Sequence, residues 1–104
     1  MTRDLIVSEP ADEDINAYIA YTNEQNPEAA RRFLATLRHA FELLLSTPEI
    51  GRVWETERQE LEGLRAWRID GFPLSIFYFP LPNAIDVIRV FHHSGDIRAV
   101  LDEL

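Results

Sequence analysis

The sequence predicts an α+β fold, a helical hairpin packed on one face of an antiparallel sheet in the order β-α-α-β-β-β-α. Three observations predict it. Two apolar stripes at helical spacing fill the first half and are parted only by Asn26-Pro27. After Gly63 the apolar period falls from 3.6 to 2. The alternating stretches that follow are short and divided by Gly71-Phe72-Pro73 and Leu81-Pro82-Asn83, which read as turns.

Leu5-Ile6-Val7 reads as a short strand. Ser8 is placed to cap a helix, and Pro10 suits its first turn. Asp12, Glu13 and Asp14 put negative charge at the positive end of the helix dipole. Ala11, Ile15, Tyr18, Ile19 and Thr22 supply its inward face. A second helix runs from about Pro27 to Thr47, with Ala30, Phe33, Leu34, Leu37, Phe41 and Leu44 as its stripe. Thr47-Pro48 and Gly51 end it. Residues 52–63 read as a polar, acidic, solvated connector, with Trp54 expected to cover the hairpin. Strands are expected at Leu64–Asp70, Leu74–Phe79 and Ile85–His92, and a short helix at Ile97–Leu101. The whole chain, 1–104, is expected to form one domain.

Composition removes several classes of function. There is no cysteine, so no disulfide, thiolate nucleophile or cysteine-bound metal is available. The three histidines are His39 on a helix and the adjacent pair His92 and His93, whose side chains alternate across a strand. No metal site and no cofactor are therefore expected. Four scattered glycines make no phosphate loop. No apolar run approaches a membrane span and no signal peptide opens the chain, so a cytoplasmic protein with no membrane partner is expected. The net charge of −8 argues against sequence-independent nucleic-acid binding. The charge is uneven: residues 1–63 carry six Arg against thirteen acids, and residues 64–104 four Arg against five. Every basic residue is Arg, so only His can act as a base among the basic residues near neutral pH.

The order of elements and a set of residues resemble the RelE/ParE superfamily of type II toxin–antitoxin toxins. The resemblance runs through Ser8, Ala11, Asp14, Ile15 and Ile19, then Asn26-Pro27 with Ala29, Ala30 and Phe33, then Leu44, Pro48 and Gly51. Its most specific part is Leu64-Arg65, Gly71-Phe72-Pro73 and Ile76-Phe77-Tyr78, followed by Ile85 to His92 and Asp96-Ile97. The Phe-Pro turn and the Phe-Tyr strand resemble the ParE branch more than the RelE branch. The resemblance implies a cognate antitoxin partner, bound in a hetero-oligomer, whose C-terminal segment lies over the helices and sheet. The ParE branch implies DNA gyrase as target and a protein that is not an enzyme. The RelE branch implies a metal-independent endonuclease acting on mRNA in the ribosome. A third reading is a member that keeps antitoxin binding and has lost toxicity.

RNA cleavage without a metal requires a base, an acid and cations that stabilise the phosphorane. In the nuclease reading Arg65, Arg89 and His93 are the catalytic candidates, with Arg68 as a further cation. Alternation places Arg89, Phe91 and His93 on one face of the last strand, making Arg89 and His93 the expected pair, and places Ile88, Val90 and His92 on the other. Arg65, Trp67 and Ile69 share a face and Arg68 lies opposite. Arg65, Trp67, Arg68 and Arg89 are the expected partner-binding residues, with large aromatics favoured as anchors. An acidic toxin facing an acidic antitoxin tail should rely on apolar burial more than on charge. Gly95 stands where family members often carry Arg before the closing Asp, Ser75 where many nucleases carry a basic residue, and Lys is absent. The missing basic groups, with the ParE-like strand pattern, turn the reading toward a ParE-like inhibitor, and Gly95 with the net charge motivates the member that has lost toxicity.

Overall fold

The computed structural model describes residues 3–102. Its elements are β1 (Asp4–Val7), α1 (Glu9–Gln25), α2 (Pro27–Ser46), β2 (Arg52–Val53), a 3-10 turn (Gln59–Leu61), β3 (Arg65–Arg68), β4 (Leu74–Pro80), β5 (Ala84–His92) and α3 (Ile97–Asp102). The α+β order stands as the sequence predicts.

The two helix starts follow from their caps. Ser8 Oγ accepts from Ala11 N at 3.2 Å and donates to the Ile88 carbonyl at 2.9 Å, so one hydroxyl caps α1 and pins it to β5. Asn26 Oδ1 accepts from Glu28 N and Ala29 N, opening α2 one residue after α1 ends. Pro27 at the first position of α2 lacks the N–H that a helix start would leave unpaired.

The strands form one sheet in the order β1-β5-β4-β3-β2. Strands β2 to β5 pair antiparallel, but β1 lies parallel to β5, so the sheet is mixed rather than wholly antiparallel. The helical hairpin between β1 and β2 carries the chain across the sheet, and the meander β2 to β5 then returns it to lie parallel beside β1. The connector holds more structure than its polarity suggests. Arg52 and Val53 pair with Ala66 and Arg65, and Leu61 is buried.

The helices cover one face. Ala11, Ile15, Phe33, Leu37, Ala40 and Leu44 pack against Ile69, Ile76, Tyr78, Ile85, Val87 and Val90. Burying a side chain such as Phe33 contributes about 2–3 kcal/mol. Leu34, expected on the stripe, is 44% exposed, and Ala40 takes the inward position. The Gly-Phe-Pro turn seals one end of this core. Gly71 adopts φ +80°, and Phe72 sets its ring edge-on to Phe33, with centroids 5.3 Å apart.

The other face carries a second core of Leu61, Leu64, Phe77, Phe91 and Leu101, under α3. Trp54 belongs to this core, stacked edge-on to Phe77 at 5.1 Å, and not to the hairpin as expected. The cause is β2: once Arg52 and Val53 join the sheet edge, the chain enters the opposite face. Strand β5 also departs from strict alternation. Phe77 opposes Arg89 and Tyr78 opposes Val87, leaving Ile88 as the extra residue of a bulge. Ile88 therefore packs on the second core rather than under the helices.

Candidate functional site

Each predicted site residue has a definite place, and the structure does not gather them. Arg65 stands opposite Tyr78 on the hairpin side of the sheet. Its Nη1 donates to the carbonyls of Glu49 and Gly51 at 3.0 and 2.7 Å. Tyr78 is fully buried; its hydroxyl donates to the Pro48 carbonyl at 2.7 Å and accepts from Gly51 N at 2.9 Å. Burial raises the phenol above its ordinary value, against the smaller opposing pull of the Gly51 N–H. Arg65 and Tyr78 together fasten the loop that follows α2.

Arg89 lies opposite Phe77 and keeps its guanidinium carbon 4.4 Å from the Phe91 ring centroid. From there it turns over the sheet edge left open where β1 ends. Its Nε and Nη2 donate to the two carboxylate oxygens of Asp14 on α1, at 2.7 and 2.9 Å. This pairing holds the guanidinium charged above its already high ordinary value. Arg89 and His93 share a strand face as expected, but they do not form a pair. Asp14 occupies the one, and Ser75 the other.

His93 sits beyond the end of β5, with Nε2 at 2.8 Å from Ser75 Oγ. Its pKa falls below the ordinary 6.5, first through burial, then through the charges of Arg68 and His92. His93 and Ser75 line a pocket of about 400 Å3 on the face away from the hairpin, with Arg52, Arg68, Trp54 and Phe77 among its other walls. Four successive parts of the sheet meet there: Arg52 from β2, Arg68 from β3, Ser75 from β4 and His93 after β5. Asp96 closes the same segment. Its carboxylate accepts from Ala99 N at 3.1 Å and caps α3.

Trp67 is half-buried against the hairpin core. With Arg68, Asp70 and Thr36, His39, Ala40 and Leu43 of α2, it lines a second pocket of about 390 Å3 between helix and sheet. The four expected partner-binding residues thus fall in two places. Trp67 and Arg68 flank the β3 side, Arg65 is tied to its loop, and Arg89 is beyond β4 at the α1 edge.

Sequence reasoning missed Arg52, Ser75 and Asp14. Ser75 was readable, since alternation along β4 puts it on the same face as Phe77, opposite Arg68. Arg52 was not, because a two-residue strand carries no period. Asp14 stands in the sequence as a charge near a helix start and within the family pattern, and neither signals its contact with Arg89.

The model of the ParE toxin of type II toxin–antitoxin systems, parDE, matches residues 5–97 of this sequence. The chain belongs to the ParE toxin family. Among solved structures it is similar to a chromosomal ParDE toxin–antitoxin system from P. aeruginosa, with a TM-score of 0.70 and 17% sequence identity, covering 88% of this chain and 96% of that one. That likeness is one of fold. Comparison with curated proteins returns no match. Among the described residues no helix is long and apolar enough to cross a membrane.

Proposed function

We propose that this chain acts by binding and inhibiting DNA gyrase in the cytoplasm, and that a cognate antitoxin neutralises it. The observation that carries this reading is the ParE family match across residues 5–97. The side-chain geometry supports it over the nuclease reading. Arg65 is engaged by backbone carbonyls, Arg89 by Asp14, and His93 by Ser75. A phosphorane would find none of the three as a converging set. In this reading the protein is not an enzyme.

The antitoxin segment is proposed to seat on the groove between α2 and β3, with Trp67 as apolar anchor and Arg68 at its rim. The exposed apolar side chain of Leu34 on α2 extends that helix's outer surface.

The test is a supercoiling assay with the purified full-length chain, gyrase, ATP and relaxed plasmid. The expected result is loss of supercoiling with accumulation of cleaved DNA on adding denaturant. Unchanged supercoiling at excess toxin overturns the gyrase reading. Growth arrest when the chain is induced alone, relieved by its antitoxin, is expected in parallel.

A further inference from the structure

We propose that β1 pairs antiparallel with β1 of a second copy of this chain, Ile6 opposite Ile6, joining two five-stranded sheets into one. The inference does not depend on the gyrase reading. It starts from a bare edge. Asp4 N donates to the Asn83 carbonyl and Ser8 N to the Val87 carbonyl, so Asp4, Ile6 and Ser8 turn their backbone groups toward β5. Backbone direction alternates along a strand, which leaves the N–H and C=O groups of Leu5 and Val7 pointing outward. None of these four groups has a partner among the described residues.

The other open parts of the sheet are guarded, and this one is not. Beyond β1, the edge of β5 is occupied by Ser8 Oγ at the Ile88 carbonyl and by the Asp14 carboxylate at Val90 N. The opposite edge, β2, is two residues long and opens with Arg52. Sheet edges are ordinarily protected by lysine, proline, a bulge or a covering element. Strand β1 has none of these. Its sequence is Asp-Leu-Ile-Val, and its pairing with β5 is unbroken. Leu5 is 37% exposed and Ile6 47%. The single charge, Asp4, stands at its first position rather than in its middle.

What fits this edge is a copy of itself. With Ile6 opposite Ile6, Leu5 of each copy stands opposite Val7 of the other. Every outward N–H then meets an outward C=O, and no edge group of either strand is left over. The Ile6 pair falls between the hydrogen-bonded pairs, where facing side chains come closest. Ile6 registers with Asp86, whereas Leu5 and Val7 register with Ile85 and Val87 beneath the helices. The two Ile6 side chains therefore cover one another on the helix-free face. The same register turns Arg3 of each copy toward Glu9 of the other, opposite charges at both ends. Sliding the strands to set Leu5 opposite Leu5 would put Asp4 against Ile6, so the apolar pattern selects the first register. A two-fold axis through the Ile6 pair closes the contact at a dimer. The groove between α2 and β3 lies across the sheet from β1 and stays open in that dimer.

The experiment is sedimentation equilibrium of the full-length chain, joined to cross-linking. The mass is expected to rise with concentration from 12.1 kDa toward twice that value. Half-association should fall at roughly 10–100 μM, as suits an interface at the small end of the known range. Leu5→Pro removes an outward N–H and leaves the bonds to β5 in place, while Ile6→Lys sets a charge on the axis. Each should weaken association at least tenfold in a chain with a normal thermal melt. The chain has no cysteine, so one introduced thiol reports one contact. Mild oxidation should cross-link Ile6→Cys at least tenfold faster than Tyr21→Cys on the exposed side of α1. The Cα spacing of about 4.5 Å in such a pair lies within the span of a disulfide. A chain that stays monomeric at ~1 mM overturns the proposal. So does a dimer that Leu5→Pro and Ile6→Lys both leave intact, or faster cross-linking of Leu5→Cys than of Ile6→Cys. Amide protection at Leu5 and Val7 that appears only with the antitoxin bound would give the edge to an antitoxin strand, and also overturns it.

Discussion

Asp14 and Arg89 are 75 positions apart, yet one carboxylate joins them while also accepting the Val90 N–H at 3.0 Å. Both side chains are about one-fifth exposed, so water screens the pair only in part. The contact lies where β1 has ended and β5 would otherwise present a bare edge. Asp14 therefore fixes α1 to the sheet and occupies an edge donor in the same act. Asp14→Ala should destabilise the chain by about 2–3 kcal/mol, since a guanidinium and a backbone N–H both lose their acceptor. Asp14→Asn should lie between, because its amide oxygen still accepts but its NH2 faces a donor. Urea unfolding reads both values. Losses below about 0.5 kcal/mol for both variants would show that the pair merely decorates the surface.

Gly51 and Tyr78 form a second tie whose failure should be non-additive. A methyl group at Gly51 would stand 2.5 Å from the Tyr78 hydroxyl oxygen and 2.8 Å from a ring carbon. The ring is fully buried and has nowhere to yield. Gly51→Ala should cost about 1–3 kcal/mol through overpacking. Tyr78→Phe should cost about 1–3 kcal/mol through the unpaired Gly51 N–H. In the double variant the hydroxyl that collides is gone, so the combined loss should fall short of the sum. Strict additivity in a double-mutant cycle would place the strain elsewhere.

Removal of Trp54 tests the assignment of the second core. Trp54→Ala deletes a ring packed on Phe77 and lying beneath the Arg98 guanidinium, 5.0 Å from its centroid. The expected loss is about 2–3 kcal/mol, below that of a fully buried aromatic because the ring is partly exposed. Amide exchange should quicken first in α3 and the connector, not in the hairpin. Faster exchange in α1 and α2 instead would return Trp54 to the hairpin side.

The sequence makes some of this architecture legible and hides the rest for identifiable reasons. Ser8 and Asn26 act locally, through hydrogen bonds from residues two or three positions on, and Pro27 through its fixed φ, so both helix starts can be read directly. The alternation of Arg65, Trp67 and Arg68 holds because β3 is regular. Strand β5 is not regular. Its bulge at Ile88 sends that residue to the second core, an outcome no two-residue period contains. The misplacement of Trp54 has the same root, since two residues of β2 decide which face the connector enters. At the candidate site the missing information is also non-local. Arg89 and His93 share a face by arithmetic, but the acceptor that claims Arg89 comes from a helix distant in the sequence. Periodicity assigns faces, and it says nothing of where a long side chain finds its partner.

The electrostatics of His93 supply the last prediction. Burial, Arg68 and His92 all lower its pKa below 6.5, with burial the largest influence. Arg52 faces it from β2, and Ser75 holds the ring at Nε2. A histidine depressed in the folded chain binds its proton more readily when unfolded. Its contribution to stability is therefore full above about pH 6.5 and is lost as pH falls through the folded pKa. An NMR titration should place the His93 midpoint below 6.5, and Arg68→Ala should move it upward by removing a nearby positive charge. The same variant should flatten the fall in stability just below pH 6.5. An unmoved midpoint in Arg68→Ala would mean that the guanidinium points away from the ring, and burial and His92 alone would then account for the depression.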